Sequence, residues 1–118
     1  MVSEIDVDRR LVRTRLVGAV TVAEVEEHNR TLALDPKFKP QFEQLVDLSG
    51  MTAILYDLSS VRKSAKEHVF SPGVRRALVA TSDAAYGMSR MFAMQSESEG
   101  QRIEVFRQMK EAEAWLGL

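Results

Sequence analysis

The 118 residues predict an α/β domain, a mixed sheet of about five strands carrying about four helices, mostly parallel with one antiparallel strand at its start. Three features lead there. Apolar residues alternate singly in some stretches and recur every three or four residues in others, and the two patterns take turns along the chain. Three helical stretches open on a capping residue, Thr21, Asp57 or Ser82, and each is closed by proline or glycine. The run Ala77-Leu78-Val79-Ala80 is apolar without alternation, as a strand covered on both faces should be.

Element by element, Ile5 and Val7 and then residues 11–20 read as extended chain about a turn at Asp8 and Arg9. Val12 and Leu16 share one face; Leu11, Arg13, Arg15 and Val17 share the other, which is partly wet. Gly18 marks the strand's exit. Thr21 and Glu24 form a capping-box pattern, and Glu24, Glu26 and Glu27 place negative charge where the helix dipole favours it. Val22, Val25, Asn29 and Leu32 keep helical spacing to about Leu34, and Asp35-Pro36 ends the helix. A strand over 42–48 is closed by the turn residues Ser49-Gly50. Leu58, Val61, Ala65 and Val69 form the inner stripe of a second helix capped by Asp57, with Arg62, Lys63, Lys66 and Glu67 opposite. Ser71-Pro72-Gly73 breaks it. A strand over 75–81 leads to a helix over 83–98 that turns Ala84, Met88, Met91, Phe92 and Gln95 inward. A strand over 102–106 and a helix over 108–116 complete the chain, with Met109, Ala112, Trp115 and Leu116 inward and Gly117 as the stop.

Composition narrows the function. With 45% apolar and 28% charged residues the chain is globular, and its length suits a single domain over 1–118. Sixteen basic against seventeen acidic side chains argue against a nucleic-acid binder. The absence of cysteine excludes disulfides, thiolate metal sites and cysteine nucleophiles, and fits a cytoplasmic protein. Residues 1–8 lack signal-peptide character, and no apolar run approaches the ~20 residues of a transmembrane segment. No metal-ligand spacing, Walker loop or dinucleotide glycine pattern occurs, so neither a metal nor a cofactor is expected. His28 and His68 read as surface residues in polar helical surroundings. Asp47 and Asp57 can approach near strand ends but have no third partner, so the chain is not expected to be an enzyme.

Several segments together carry a family resemblance. They are Gly18-Ala19-Val20-Thr21 before an acidic helix, Gln44-Leu45-Val46-Asp47, Ala77-Leu78-Val79-Ala80 before a capped helix, Tyr86-Gly87-Met88-Ser89-Arg90-Met91-Phe92, and Val105-Phe106 with Glu113-Ala114-Trp115-Leu116-Gly117. In this order and spacing the chain resembles the small bacterial SpoIIAA-like proteins, stand-alone relatives of the STAS (anti-sigma-factor antagonist) domain. The resemblance implies a mixed sheet with packed helices, more distantly shared with CRAL-TRIO lipid-transfer domains, and a binding module rather than an enzyme. Many STAS domains are switched by phosphorylation at an Asp-Ser-Ser-Gly-Leu motif. Here the stretch is Asp57-Leu58-Ser59-Ser60-Val61, with Leu58 at the first serine, no glycine, and Ala53-Ile54-Leu55-Tyr56 lengthening the approach.

Candidate sites follow. Ser59 and Ser60 are either first-turn serines satisfying free amides or phospho-acceptors held by the helix N-terminus. Arg62, Lys63, Lys66, Arg75 and Arg76 form a basic cluster, read first as a solvated face and otherwise as a site for an acidic partner or an anionic small molecule. Met88, Met91 and Phe92 belong to the core stripe, whereas Met94 lies off it and suits a subunit contact. Tyr86 and Arg90, one turn apart, are the preferred polar contacts, with structural hydrogen bonding as the alternative. Phe70 plugs the core or lines a cleft near the strand ends. The leading expectation is a protein-binding module of regulatory type that self-associates as a homodimer. The alternative is a small-ligand or lipid-sensing module using a cleft near Phe70, Tyr86 and Arg90.

Overall fold

The structure, a computed structural model, describes residues 1–55 and 57–118. Tyr56 and the side chains of Ile54 and Leu55, part of the lengthened stretch before Asp57, lie outside the described residues. The elements are β1 (Val2–Asp6), β2 (Leu11–Thr21), α1 (Val22–Leu34), β3 (Glu43–Leu55), α2 (Leu58–Lys66), β4 (Arg75–Val79), α3 (Asp83–Glu97), β5 (Arg102–Phe106) and α4 (Met109–Leu116). The strands form one sheet in the order β1-β2-β3-β4-β5, with β1 antiparallel to β2 and the rest parallel. This is the expected α/β architecture. None of these helices is long and apolar enough to cross a membrane.

Because each strand adds beside its predecessor, every crossover steps the same way, and right-handed crossovers stack α1, α2 and α3 on one face. The alternation within β2 then divides the core. Leu16 and Val20 join Val46, Leu48, Leu78 and Ala80 beneath Ala85 and Phe92 of α3 and Val25 of α1. Leu11 joins Leu45, Ala77 and Val79 against Ala112 and Leu116 of α4 on the opposite face. A third cluster, Val12, Leu32, Phe38, Phe42 and Phe70, closes the end of the three-helix layer where the strands begin. Phe38 and Phe70 meet there edge to face at 5.4 Å.

The caps fall where the sequence places them. Thr21 accepts from the Glu24 amide (3.2 Å), Asp57 from the Ser60 amide (2.8 Å) and Ser82 from the Ala85 amide (3.1 Å). Gly117 ends α4 at φ 76° while Leu118 N–H returns to the Glu113 carbonyl.

Four expectations need correction. Gly18 is not an exit: β2 runs on to Thr21, and the glycine (φ 75°) sits where the β2–β3 register shifts. Ser49-Gly50 likewise does not close β3, which continues to Leu55. Here turn-forming residues serve bulges, because the long β2 keeps offering backbone partners. Helix α2 stops at Lys66, before Val69, as the chain turns to seat Phe70 (3% exposed) in the end cluster. The inner stripe of α3 is offset from the expected one: Ala85, Ser89 and Ser96 are buried, Ala84 and Met91 exposed. The buried positions carry small side chains, two of which, Ala85 and Ser89, line a space beneath the helix, whereas the expected stripe followed the bulkier ones.

Candidate functional site

β4 opens on two arginines, and the pleat sends neighbours to opposite faces. On the α4 face Arg75 meets Glu43 of β3: Nε donates to Oε2 and Nη2 to Oε1 (3.1 Å), and Nη1 donates to the Trp115 carbonyl (2.6 Å). The Glu43 hydrogen bond raises the Arg75 pKa above its usual value. On the three-helix face the register sets Arg76 beside Gln44. Arg76 is 8% exposed, and no aspartate or glutamate of the described residues pairs with it. Its Nε donates to Gln44 Oε1 (3.1 Å) and its Nη1 to Gln101 Oε1 (2.9 Å). The guanidinium also lies 4.6 Å from the Phe70 ring centroid, within cation–π range. Burial pushes its pKa down to about 10, so the group remains a cation at neutral pH.

These bonds fix both amides. With its oxygen on Arg76, Gln44 donates through Nε2 to Thr14 Oγ1 (3.1 Å). Thr14 contacts Ser3 Oγ (2.7 Å), and Ser3 contacts His28 Nε2 (2.6 Å). In the other direction Gln101 Nε2 donates to the Phe70 carbonyl (3.2 Å) and faces His68 Nδ1 at 3.3 Å. An amide nitrogen only donates, so His68 Nδ1 is the unprotonated ring nitrogen in this arrangement. A polar line thus crosses the interior of the sheet from His28 to His68. Desolvation lowers the His28 pKa, favouring the neutral ring.

Arg76 also lines a cavity between the sheet and α1–α3, with a volume of about 130 Å³. Its walls are mainly apolar, including Leu16, Val46, Leu48, Val61, Leu78 and Phe92. Gln44, Ser64 and His68 are among its polar lining residues. Ser64 Oγ is buried there without a hydrogen-bond partner among the described residues. A dry cavity of roughly 150 Å³ admits a benzene-sized molecule. This space therefore accommodates a ring or a short alkyl chain, and is too small to enclose a long acyl chain.

The residues singled out from the sequence do not form one cleft. Phe70 both plugs the core end and lines the cavity. Tyr86 packs at the edge of the α3 core with the Arg107 guanidinium 4.9 Å from its ring centroid. Arg90 and Met94 (67% exposed) border a separate groove between α3 and β5. Ser59 is exposed and Ser60 half-buried, but the α2 cap is Asp57. A phosphate on Ser59 would meet the Asp57 carboxylate at that helix end.

The basic cluster divides as well. Arg62, Lys63 and Lys66 lie on the exposed face of α2, Arg75 is paired, and Arg76 is interior rather than part of a solvated face. His28 and His68 are half-buried and hydrogen-bonded, not surface residues. Asp47 receives the Ser49 amide (2.9 Å) and Asp57 the Ser60 amide, each in local structure. Among the described residues no group of three or more His, Asp or Glu is placed to hold a metal ion.

No family model matches the chain, and no curated protein matches it significantly.

Arg76 was singled out only as one of a basic cluster read first as a solvated face, and Gln44 and Gln101 were given no site role, because each belongs to a usually exposed residue type. One signal was present. Two adjacent arginines entering a strand covered on both faces must send one inward, and Glu43-Gln44 on β3 offers a carboxylate to one and only an amide to the other.

Proposed function

We propose that the protein is a non-enzymatic binding module whose ligand is a small, largely apolar molecule held between the sheet and α1–α3. The observation that carries this reading is the cavity of about 130 Å³ within the three-helix layer of so small a domain. Interiors are otherwise close-packed, and this space, which opens to solvent, leaves its apolar lining short of contacts. Binding returns those contacts. The resemblance to SpoIIAA-like proteins, and through them to lipid-transfer domains, supports the same direction; the volume limits the ligand, or its enclosed part, to about the size of benzene.

Native mass spectrometry of the protein from its own organism tests this. A reproducible extra mass lost on denaturation supports the reading and identifies the ligand. A bare protein whose melting temperature also ignores benzene, hexanol and hexanoate would sink it. Ser89→Leu, which extends an apolar side chain from α3 into the cavity, should raise stability and weaken binding together.

A second reading follows from the family resemblance: a cytoplasmic, homodimeric regulatory module that docks a protein partner. Met91 and Met94, exposed on α3, supply an adaptable apolar surface for it. Light scattering addresses self-association directly, and a clean monomer at high concentration would remove the dimer.

A further inference from the structure

We infer that the ligand of this cavity carries a single negative charge of carboxylate type, which pairs with Arg76 while its apolar body fills the space beneath α1–α3. The inference rests on the cavity being a binding site and adds the chemistry of the ligand's head. Three observations support it. First, Arg76 is interior, and its described hydrogen-bond partners are neutral amides, Gln44 and Gln101. Charged side chains are rarely buried without a counter-ion, because desolvation strongly disfavours an unpaired charge. Second, Nε and Nη1 are engaged, whereas Nη2 donates to none of the described residues, and Arg76 is in the cavity wall. The wall also holds the unpartnered hydroxyl of Ser64. Third, the same two strands build a complete ion pair one residue away. Glu43 meets Arg75 on the outer face, while Gln44, isosteric with glutamate, stands beside Arg76 on the inner one. A glutamate there would neutralise the cation; the amide orients it and leaves its charge to be met from outside.

The charge count favours a carboxylate over a phosphate monoester. Arg76 is the permanently charged cationic side chain among the described lining residues and balances a monoanion, whereas a phosphate near −2 would call on further positive charge in a mainly apolar wall. Glu67 is the carboxylate among the lining residues; it is exposed and lies 3.9 Å from Lys63 Nζ.

The test compares hexanoate with 1-hexanol by calorimetry on the wild type, Arg76→Met and Gln44→Glu. The wild type should bind hexanoate at least about tenfold more tightly than hexanol, as expected for a hydrogen bond to a charged group. Arg76→Met should reverse the preference. Gln44→Glu supplies an internal carboxylate and should bring the hexanoate-to-hexanol ratio to one or below, so the test stands even if Arg76→Met fails to fold. Equal wild-type affinities overturn the charged head while leaving the cavity as a binding site. If neither compound binds, the cavity reading itself fails and this inference with it. A hexanoate preference that survives both substitutions places the anion elsewhere and overturns the assignment to Arg76.

Discussion

Arg75 and Arg76 are adjacent in sequence and belong to two different kinds of protein interior. On the α4 side the sheet is packed with apolar residues and its bordering arginine is paired with Glu43 and tied to the last turn of α4. On the three-helix side the layer holds a cavity, a row of polar side chains and a cation without a counter-ion among the described residues. The first arrangement stabilises the fold. The second weakens it: burial pushes the Arg76 pKa down to about 10, which means that desolvation of the cation opposes folding. For a cation whose folded pKa is depressed, that penalty is fully present below about pH 10 and fades only as pH rises from there towards the ordinary arginine value. One sheet thus separates a face that serves stability from a face that gives some of it up, a division expected where a site must stay open.

Matched substitutions on the two faces can break this contrast. Leu45→Ala on the α4 side should destabilise by about 4 kcal/mol in urea titration, whereas Leu78→Ala, already beside the void, should fall nearer 2.5 kcal/mol. Equal losses would mean that the two layers are equally packed. The arginines should separate by sign. Arg75→Met removes a partly exposed ion pair and two carbonyl contacts and should cost about 1–2 kcal/mol, while Arg76→Met should be neutral or stabilising by about 1 kcal/mol. A large loss at Arg76 would show that its amide and aromatic partners compensate the charge.

Smaller effects sharpen the picture at the helix ends and along the polar line. Ser82→Ala should cost about 1 kcal/mol as the loss of a cap, whereas Ser59→Ala should stay within about 0.5 kcal/mol of zero. A substantial loss at Ser59 would reassign the α2 cap. Burial lowers the His28 pKa, so the unfolded chain takes up more protons and stability should decline as pH falls below 6.5. Thermal melts from pH 7.5 to 5 should show this decline in the wild type and a flatter profile in His28→Gln.

What the sequence revealed was mostly local. The caps at Thr21, Asp57 and Ser82 and the stop at Gly117 were readable because each is defined within a few residues. The faces of β2 were readable because a half-wet strand writes its pleat in alternating polarity. Gly18 and Ser49-Gly50 misled because bulges and turns draw on the same residues, and only the partner strand distinguishes them. Ser89 and Ser96 were passed over on α3 because the expected stripe followed bulky apolar side chains, and Ala85 because it lies one position from the stripe chosen. The cavity was hidden for a plainer reason. An empty volume belongs to no residue, and the polar line beside it joins side chains up to 33 positions apart.

The order of the strands also bears on how the protein is made. Each parallel strand pairs with the one just before it, so the sheet can lengthen by one βα unit at a time as the chain leaves the ribosome, without waiting for distant segments. The exception is α4, which follows β5 and folds back over strands laid down long before. Until its few turns dock, Leu11, Leu45, Ala77 and Val79 face solvent as one apolar surface. The nascent chain therefore carries an aggregation-prone surface until α4 docks, after the layer facing the cavity has been assembled.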